Sequence, residues 1–199
     1  MTNYEKIIHD NLSVIFADHP GDLEKFLPAE KNGDRLVFRA FGEECTLGPE
    51  GLIISGHADD GPRGLLVTLY ARQARADATH LTPYKAFKDF PGSMPYHGAF
   101  ATNSERVLIP HVTRIHEKRA LIREVFDGQT APPEAAGDFS ILLFPLPKIA
   151  LCYIFYLPDE EFPASVTCLF SANARDFMPL DGLADVAEYT SKRIIETIK

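Results

Sequence analysis

Apolar residues at Tyr4, Ile7, Ile8, Leu12, Ile15 and Phe16 recur at helical spacing behind Thr2 and Glu5, which form a capping box. The chain is therefore expected to begin with an amphipathic helix from residue 3 to about 18, closed by His-Pro-Gly-Asp at 19–22. A short helical piece near 22–27 follows, and Asn-Gly-Asp at 32–34 signals a turn. The pattern then changes to short runs, RLVFRAF, CTL and GLIIS, which predict three strands of an antiparallel meander with breaks at Glu43-Glu44 and at Gly48-Pro49 to Gly51. Asp59 or Asp60 is placed to cap a helix over about 62–76, with Pro62 in its first turn and Leu65, Leu66, Leu69 and Tyr70 on its apolar face.

The middle of the chain is less regular. Asp-Phe-Pro-Gly-Ser-Met-Pro at 89–95 is too rich in turn formers for a helix or strand, and helical character returns from Tyr96 to Phe126, in two pieces because Pro110 lacks a backbone donor. Residues 127–138 read as a surface linker. Three more strands are predicted at 138–144, 149–157 and 164–170, the middle one apolar on both parities as a central strand requires, so that Ile154, Phe155 and Tyr156 should be buried. If Leu157 pairs with Pro163, Cys152 faces Cys168 across that hairpin. A last helix follows Asp181, with Leu183, Val186, Ala187, Thr190, Ile194 and Ile198 in one stripe. The predicted fold is one α+β domain over residues 1–199, a mostly antiparallel sheet from two groups of three strands packed with helices.

Composition narrows the partners. With 45% hydrophobic and 24% charged residues the chain can bury an ordinary core, and a net charge of −8 argues against nucleic acid. The most apolar segment, ILLFPLPKIALCYIFYL, is divided by Pro145, Pro147 and Lys148 into strand-length runs, so no membrane partner is expected. The first residues lack an apolar signal core, and Cys45, Cys152 and Cys168 are too scattered for a disulfide framework. A cytoplasmic location fits both observations. The sequence does not set the oligomeric state.

Chemistry is sparse. The histidines at 9, 19, 57, 80, 97, 111 and 116 form no HExxH pair, and His111 and His116 would lie roughly 140° apart on a helix, so no metal site is assigned. His57 with Asp59 and Asp60 is explained in part by helix capping. No GxSxG, GxGxxG or phosphate-binding loop is present. The remaining feature is Asp159-Glu160-Glu161 in the last hairpin, read either as a solvated tip or as a carboxylate cluster that binds a cation or titrates abnormally.

Two stretches, KDFPGSMPY at 88–96 and LPDEEFPASVTCLF at 157–170 with PLD at 179–181 beyond it, resemble a bacterial and archaeal family known as domain of unknown function 3786. The resemblance extends from about Leu65 onward. It implies kinship, names no cofactor, and marks Phe90, Pro91, Gly92 and Tyr96 in one loop and Asp159, Glu160, Glu161, Phe162 and Pro163 in the other. The leading expectation is a small-molecule or cofactor-binding accessory protein of a metal-dependent or corrinoid-type pathway, its site between those two loops, with one acid turned inward toward Tyr96. The alternatives are an enzyme using the 159–161 carboxylates, with His97 as acid, and a partner-binding protein using its acidic surface.

Overall fold

A computed structural model describes residues 2–18, 23–132, 135 and 137–199. Glu5 N donates to Thr2 Oγ1 at 3.2 Å and Thr2 N to Glu5 Oε2 at 2.6 Å, closing the expected capping box on α1 (Asn3–Asp18). The breaker predicted at 19–22 lies outside the described residues. Ile8, Leu12 and Ile15 face the core, and α1 packs on α3 (Pro62–Arg72). Buried Asn11 is satisfied there, donating to Thr68 Oγ1 at 3.1 Å and accepting from Arg72 at 3.0 Å. Between them α2 (Leu23–Phe26) is a single turn.

The first strand group is a five-stranded antiparallel meander in chain order, β1 (Glu30–Asn32), β2 (Arg35–Ala40), β3 (Glu43–Gly48), β4 (Gly51–Ile54) and β5 (His57–Ala58). Glu43 and Glu44 are not a break, as the sequence suggested, but the start of β3. The turn is Phe41-Gly42, both at positive φ (53° and 77°), the handedness that matches the twist of a tight hairpin. Gly42 is required there twice over, because a Cβ would stand 2.5 Å from Val125 Cγ1. Asp59 Oδ1 accepts the N–H groups of Gly61 and Gly64 and so caps α3, while Asp59 Oδ2 holds Arg63 at 2.7 Å. His57 Nδ1 lies 2.9 Å from the Ser55 carbonyl, so the His57 to Asp60 segment closes a turn and caps a helix.

The second sheet, also antiparallel and five-stranded, has the order β6 (Lys85–Ala86), β10 (Ser165–Phe170), β9 (Ile149–Tyr156), β8 (Phe139–Leu146) and β7 (Gln129–Thr130). The α+β class is thus as expected, but each group of three gains two edge strands of two or three residues, too short to leave a periodic pattern. β9 is central as predicted, with Ile149 to Tyr153 and Phe155 buried on both faces. Ile154 is half-buried and Tyr156, at the strand end, is exposed, correcting the expectation that all three of 154–156 would be buried. Pro145 sits in a register shift of β8 and its carbonyl accepts Phe41 N at 2.7 Å, tying the two sheets together.

The hairpin register is one residue off the predicted one. Tyr156 pairs with Ser165, so Cys168 opposes Tyr153 and Cys152 opposes Leu169. The two thiols lie on opposite faces of the sheet, because residues 157–164 form an eight-residue loop with its own internal turn instead of a tight connection.

α7 (Leu180–Thr197) lays its predicted stripe on the core, and Tyr153 Oη donates to the Ala187 carbonyl at 3.3 Å. The 89–95 stretch, expected to hold no regular element, lies between 3₁₀ turns at Phe87–Asp89 and Met94–Tyr96, and the 96–126 segment winds through more pieces than the two predicted: α4 (His97–Phe100), a π-helical turn at Ala101–Glu105, a 3₁₀ stretch at Arg106–His111 around Pro110, α5 (Val112–Glu117) and α6 (Arg119–Val125).

Candidate functional site

Phe90-Pro91-Gly92-Ser93 is a turn in which Ser93 N donates to the Phe90 carbonyl at 3.2 Å, Pro91 supplies the fixed φ and Gly92 takes φ of 81°. Pro91 and Gly92 are exposed, and their types are explained by the turn alone. Phe90 is buried, edge-on to Phe170 at 5.6 Å, and Tyr96 is 41% exposed. At the other predicted loop Asp159 Oδ1 accepts Glu161 N at 2.8 Å and Phe162 N at 2.7 Å, while Asp159 N donates to the Phe162 carbonyl at 3.0 Å. Asp159 closes its own turn, and Glu160, Glu161, Phe162 and Pro163 are exposed on it.

Among the described residues no hydrogen bond, ion pair or ring contact joins these two loops. Phe90 packs on the last residue of β10, about 17 Å along that strand at 3.4 Å per residue from Ser165, where the acidic hairpin enters it. All three acids face solvent, so none turns inward toward Tyr96.

What does converge is a cavity of about 310 Å³ beside the first loop, lined by Phe87, Lys88, His97, Phe100, Glu105 and Thr167 with Ala86 and Ala101. Phe87 and Phe100 stack at 4.3 Å as one apolar wall. His97 Nε2 lies 2.8 Å from Oγ of Ser93, which is itself buried, and this bond orients the imidazole that lines the cavity. The same lining includes Glu105 at the end of the π-helical turn, its Oε1 accepting the Cys168 N–H at 3.0 Å. β6 ends at Ala86, opposite Leu169, so Cys168 N–H has no β6 carbonyl to meet and the carboxylate takes that place. Burial holds the Glu105 carboxyl above its ordinary range, and the Cys168 N–H and Arg106 offset this in part.

Of this set only His97 was singled out from sequence. Glu105, Phe87, Phe100 and Thr167 come from four elements and share no spacing; the one local signal was the irregular 87–111 segment, and π turns of this kind recur at functional sites. A larger groove of about 790 Å³ between the sheets is open, and Arg39 on its wall is already held by Asp127 at 3.2 Å and by the Val125 and Gly42 carbonyls. Among the described residues no three His, Cys, Asp or Glu side chains are grouped to hold a metal ion, and no helix is long and apolar enough to cross a membrane.

Fold and site together define an α+β protein of two antiparallel sheets with a small, mixed-polarity cavity against an edge of the second. The chain belongs to the family described as domain of unknown function DUF3786, whose model matches residues 19–193. No curated protein and no solved structure matches it.

Proposed function

We propose that this protein binds a compact organic metabolite in the cavity between His97 and Glu105. The observation that supports it is the convergence of an imidazole held by a buried serine and a half-buried carboxyl on a space walled by Phe87 and Phe100. A few fixed polar groups on an apolar wall are the usual composition of small-molecule sites, and about 310 Å³ is at the small end of their range of roughly 300–1,000 Å³. That size suits a small metabolite and not a corrin macrocycle, so the proposal names no corrinoid-type pathway. The test is a thermal-shift screen of a metabolite library against the wild-type chain, His97→Ala and Glu105→Gln. Ligands that raise the melting temperature of the wild type and lose the effect in both variants support the reading. A library without such a ligand, or equal shifts in the variants, overturns it.

A second reading, acid–base catalysis, is favoured by the same pair. His97 has its orienting partner and Glu105 has its carboxyl shifted toward the protonated form, the arrangement by which one group donates and another accepts a proton across a bound substrate. The carboxylate in this version is Glu105 and not the 159–161 triplet. Turnover of a ligand found in the screen, abolished by His97→Ala with binding retained, would distinguish catalysis from binding.

A further inference from the structure

The cavity of the proposed site carries charge of both signs beside its apolar wall, and the hydrogen bonds already made there leave particular atoms for a ligand. Glu105 spends Oε1 on the Cys168 N–H; among the described residues its other oxygen accepts no hydrogen bond and the carboxyl is in no ion pair, Arg106 acting on it only as a nearby charge. Burial raises this carboxyl because its charged form has lost water without gaining a close counterion. Ser93 is 2% exposed, and among the described residues the one partner of its Oγ is His97 Nε2, at 2.8 Å. A buried hydroxyl hydrogen without an acceptor is costly, so that hydrogen is assigned to Nε2, which puts the ring proton on Nδ1. The neutral imidazole thus keeps one polar atom for a ligand, and it is a donor.

Lys88, solvent-exposed, lines the same cavity, and among the described residues its ammonium is in no hydrogen bond or ion pair, while the adjacent Asp89 carboxylate accepts the Ala86 N–H at 3.1 Å. Two donors suited to an anion and one carboxylate oxygen suited to a cation therefore line one space of about 310 Å³, beside Phe87 and Phe100. A simple carboxylic acid would leave Glu105 unanswered and set two carboxylates in one cavity, where they repel. A simple amine would leave Lys88 and His97 unanswered. A zwitterion answers both and brings no net charge out of water.

We infer, on the small-molecule reading of this cavity, that its occupant is an α-amino acid with an apolar side chain: the carboxylate accepts from His97 Nδ1 and the Lys88 ammonium, the α-ammonium donates to Glu105, and the side chain lies on Phe87 and Phe100.

Isothermal titration calorimetry on the full chain tests it with L-leucine, L-methionine and L-phenylalanine, each compared with its deaminated acid and its decarboxylated amine (for leucine, isocaproate and isoamylamine), and with ε-aminocaproate, whose charges are far apart. Saturable binding of at least one amino acid is expected, with both of its analogues and ε-aminocaproate weaker by roughly tenfold or more, the scale of one lost charge-assisted contact. Glu105→Gln, which keeps an acceptor for the Cys168 N–H, should weaken the amino acid roughly tenfold and leave its deaminated analogue unchanged. Lys88→Met should weaken the amino acid several-fold and leave the decarboxylated analogue unchanged. Glu50→Gln, on an exposed residue outside the lining, should have no effect. Circular dichroism verifies that the variants fold, and if Glu105→Gln does not, Lys88→Met at its exposed position decides the matter. Analogues or ε-aminocaproate that bind as tightly as the amino acid, an affinity insensitive to the folded variants, or a loss in Glu50→Gln equal to theirs overturns the inference. If none of the three amino acids binds while a metabolite from the thermal-shift screen does, in a manner dependent on His97 and Glu105, this assignment falls and the small-molecule reading stands; if neither binds, both fall.

Discussion

Glu105 Oε1 accepts the backbone N–H of Cys168 at 3.0 Å, so a side chain from a π-helical turn completes the hydrogen bonding of β10 where β6 stops. The same carboxyl lines the candidate cavity. Its position therefore serves the sheet whether or not a ligand is bound, and the two roles separate by substitution. Glu105→Ala leaves the Cys168 N–H without its acceptor and should cost about 1–3 kcal/mol in urea unfolding. Glu105→Gln keeps an acceptor and removes the charge. Because burial raises the carboxyl's folded value above its unfolded one, its contribution to stability is full below the unfolded value of about 4.3 and is lost as pH rises through the folded one. The melting temperature of Glu105→Gln relative to wild type should accordingly rise as pH increases above about 4. A difference that stays flat or falls would show that the carboxylate is stabilised in place.

Phe155 and Tyr156 are neighbours in β9 with opposite fates. Phe155 is fully buried and stacks on Phe139 at 4.6 Å, whereas Tyr156 is 43% exposed opposite Ser165. Phe155→Ala should cost about 3–5 kcal/mol through lost burial and an unfilled cavity, and Tyr156→Ala less than about 1 kcal/mol. Equal costs in denaturant melts would contradict the strand's placement.

The elements that could be read from sequence are those whose pattern is long relative to its period. α1 and α7 show several turns of apolar recurrence, and β9 shows eight residues apolar on both parities. The short edge strands Lys85–Ala86 and Gln129–Thr130 contain no period at all; they exist because β10 and β8 offer them unpaired backbone. The hairpin register failed for a related reason. It hinged on counting loop residues, and Asp159 folds Glu161 and Phe162 into an internal turn that lengthens the loop. The candidate site was legible only in part, because the resemblance marked two loops that share no hydrogen bond or ring contact among the described residues, while Glu105 and Thr167, far apart in the chain, meet only when β10 packs beside the π turn. His97 was legible as chemistry, but its serine partner was not.

Asp159 is the acid of the triplet with a structural task. Asp159→Ala removes an acceptor from two backbone N–H groups and should cost about 0.5–2 kcal/mol, comparable to loss of a helix cap. Glu160→Gln and Glu161→Gln, on exposed residues without such bonds, should stay within about 0.5 kcal/mol of wild type. The three variants, compared by chemical denaturation, assign the hairpin's acids to turn and solvent. A loss at Glu160 or Glu161 as large as at Asp159 would reopen the carboxylate cluster.

The thiols supply the remaining prediction. Cys45, Cys152 and Cys168 are all free and all buried. Burial pushes the Cys45 and Cys152 thiols up to about 12, and Cys168 is raised by burial and by the neighbouring Glu105. At pH 8 so little thiolate is present, and so little of it reachable, that an aromatic disulfide reagent should find no fast-reacting thiol in the native chain. All three should react once denaturant is added. Mild oxidation should also leave the native mass unchanged, since Cys152 and Cys168 project to opposite faces of the sheet and cannot join without moving backbone. Fast labelling of one thiol in the folded protein would mean that the sheet face above it opens. A loss of two hydrogens on oxidation, mapped to Cys152 and Cys168, would restore the directly opposed register in which those two residues face each other.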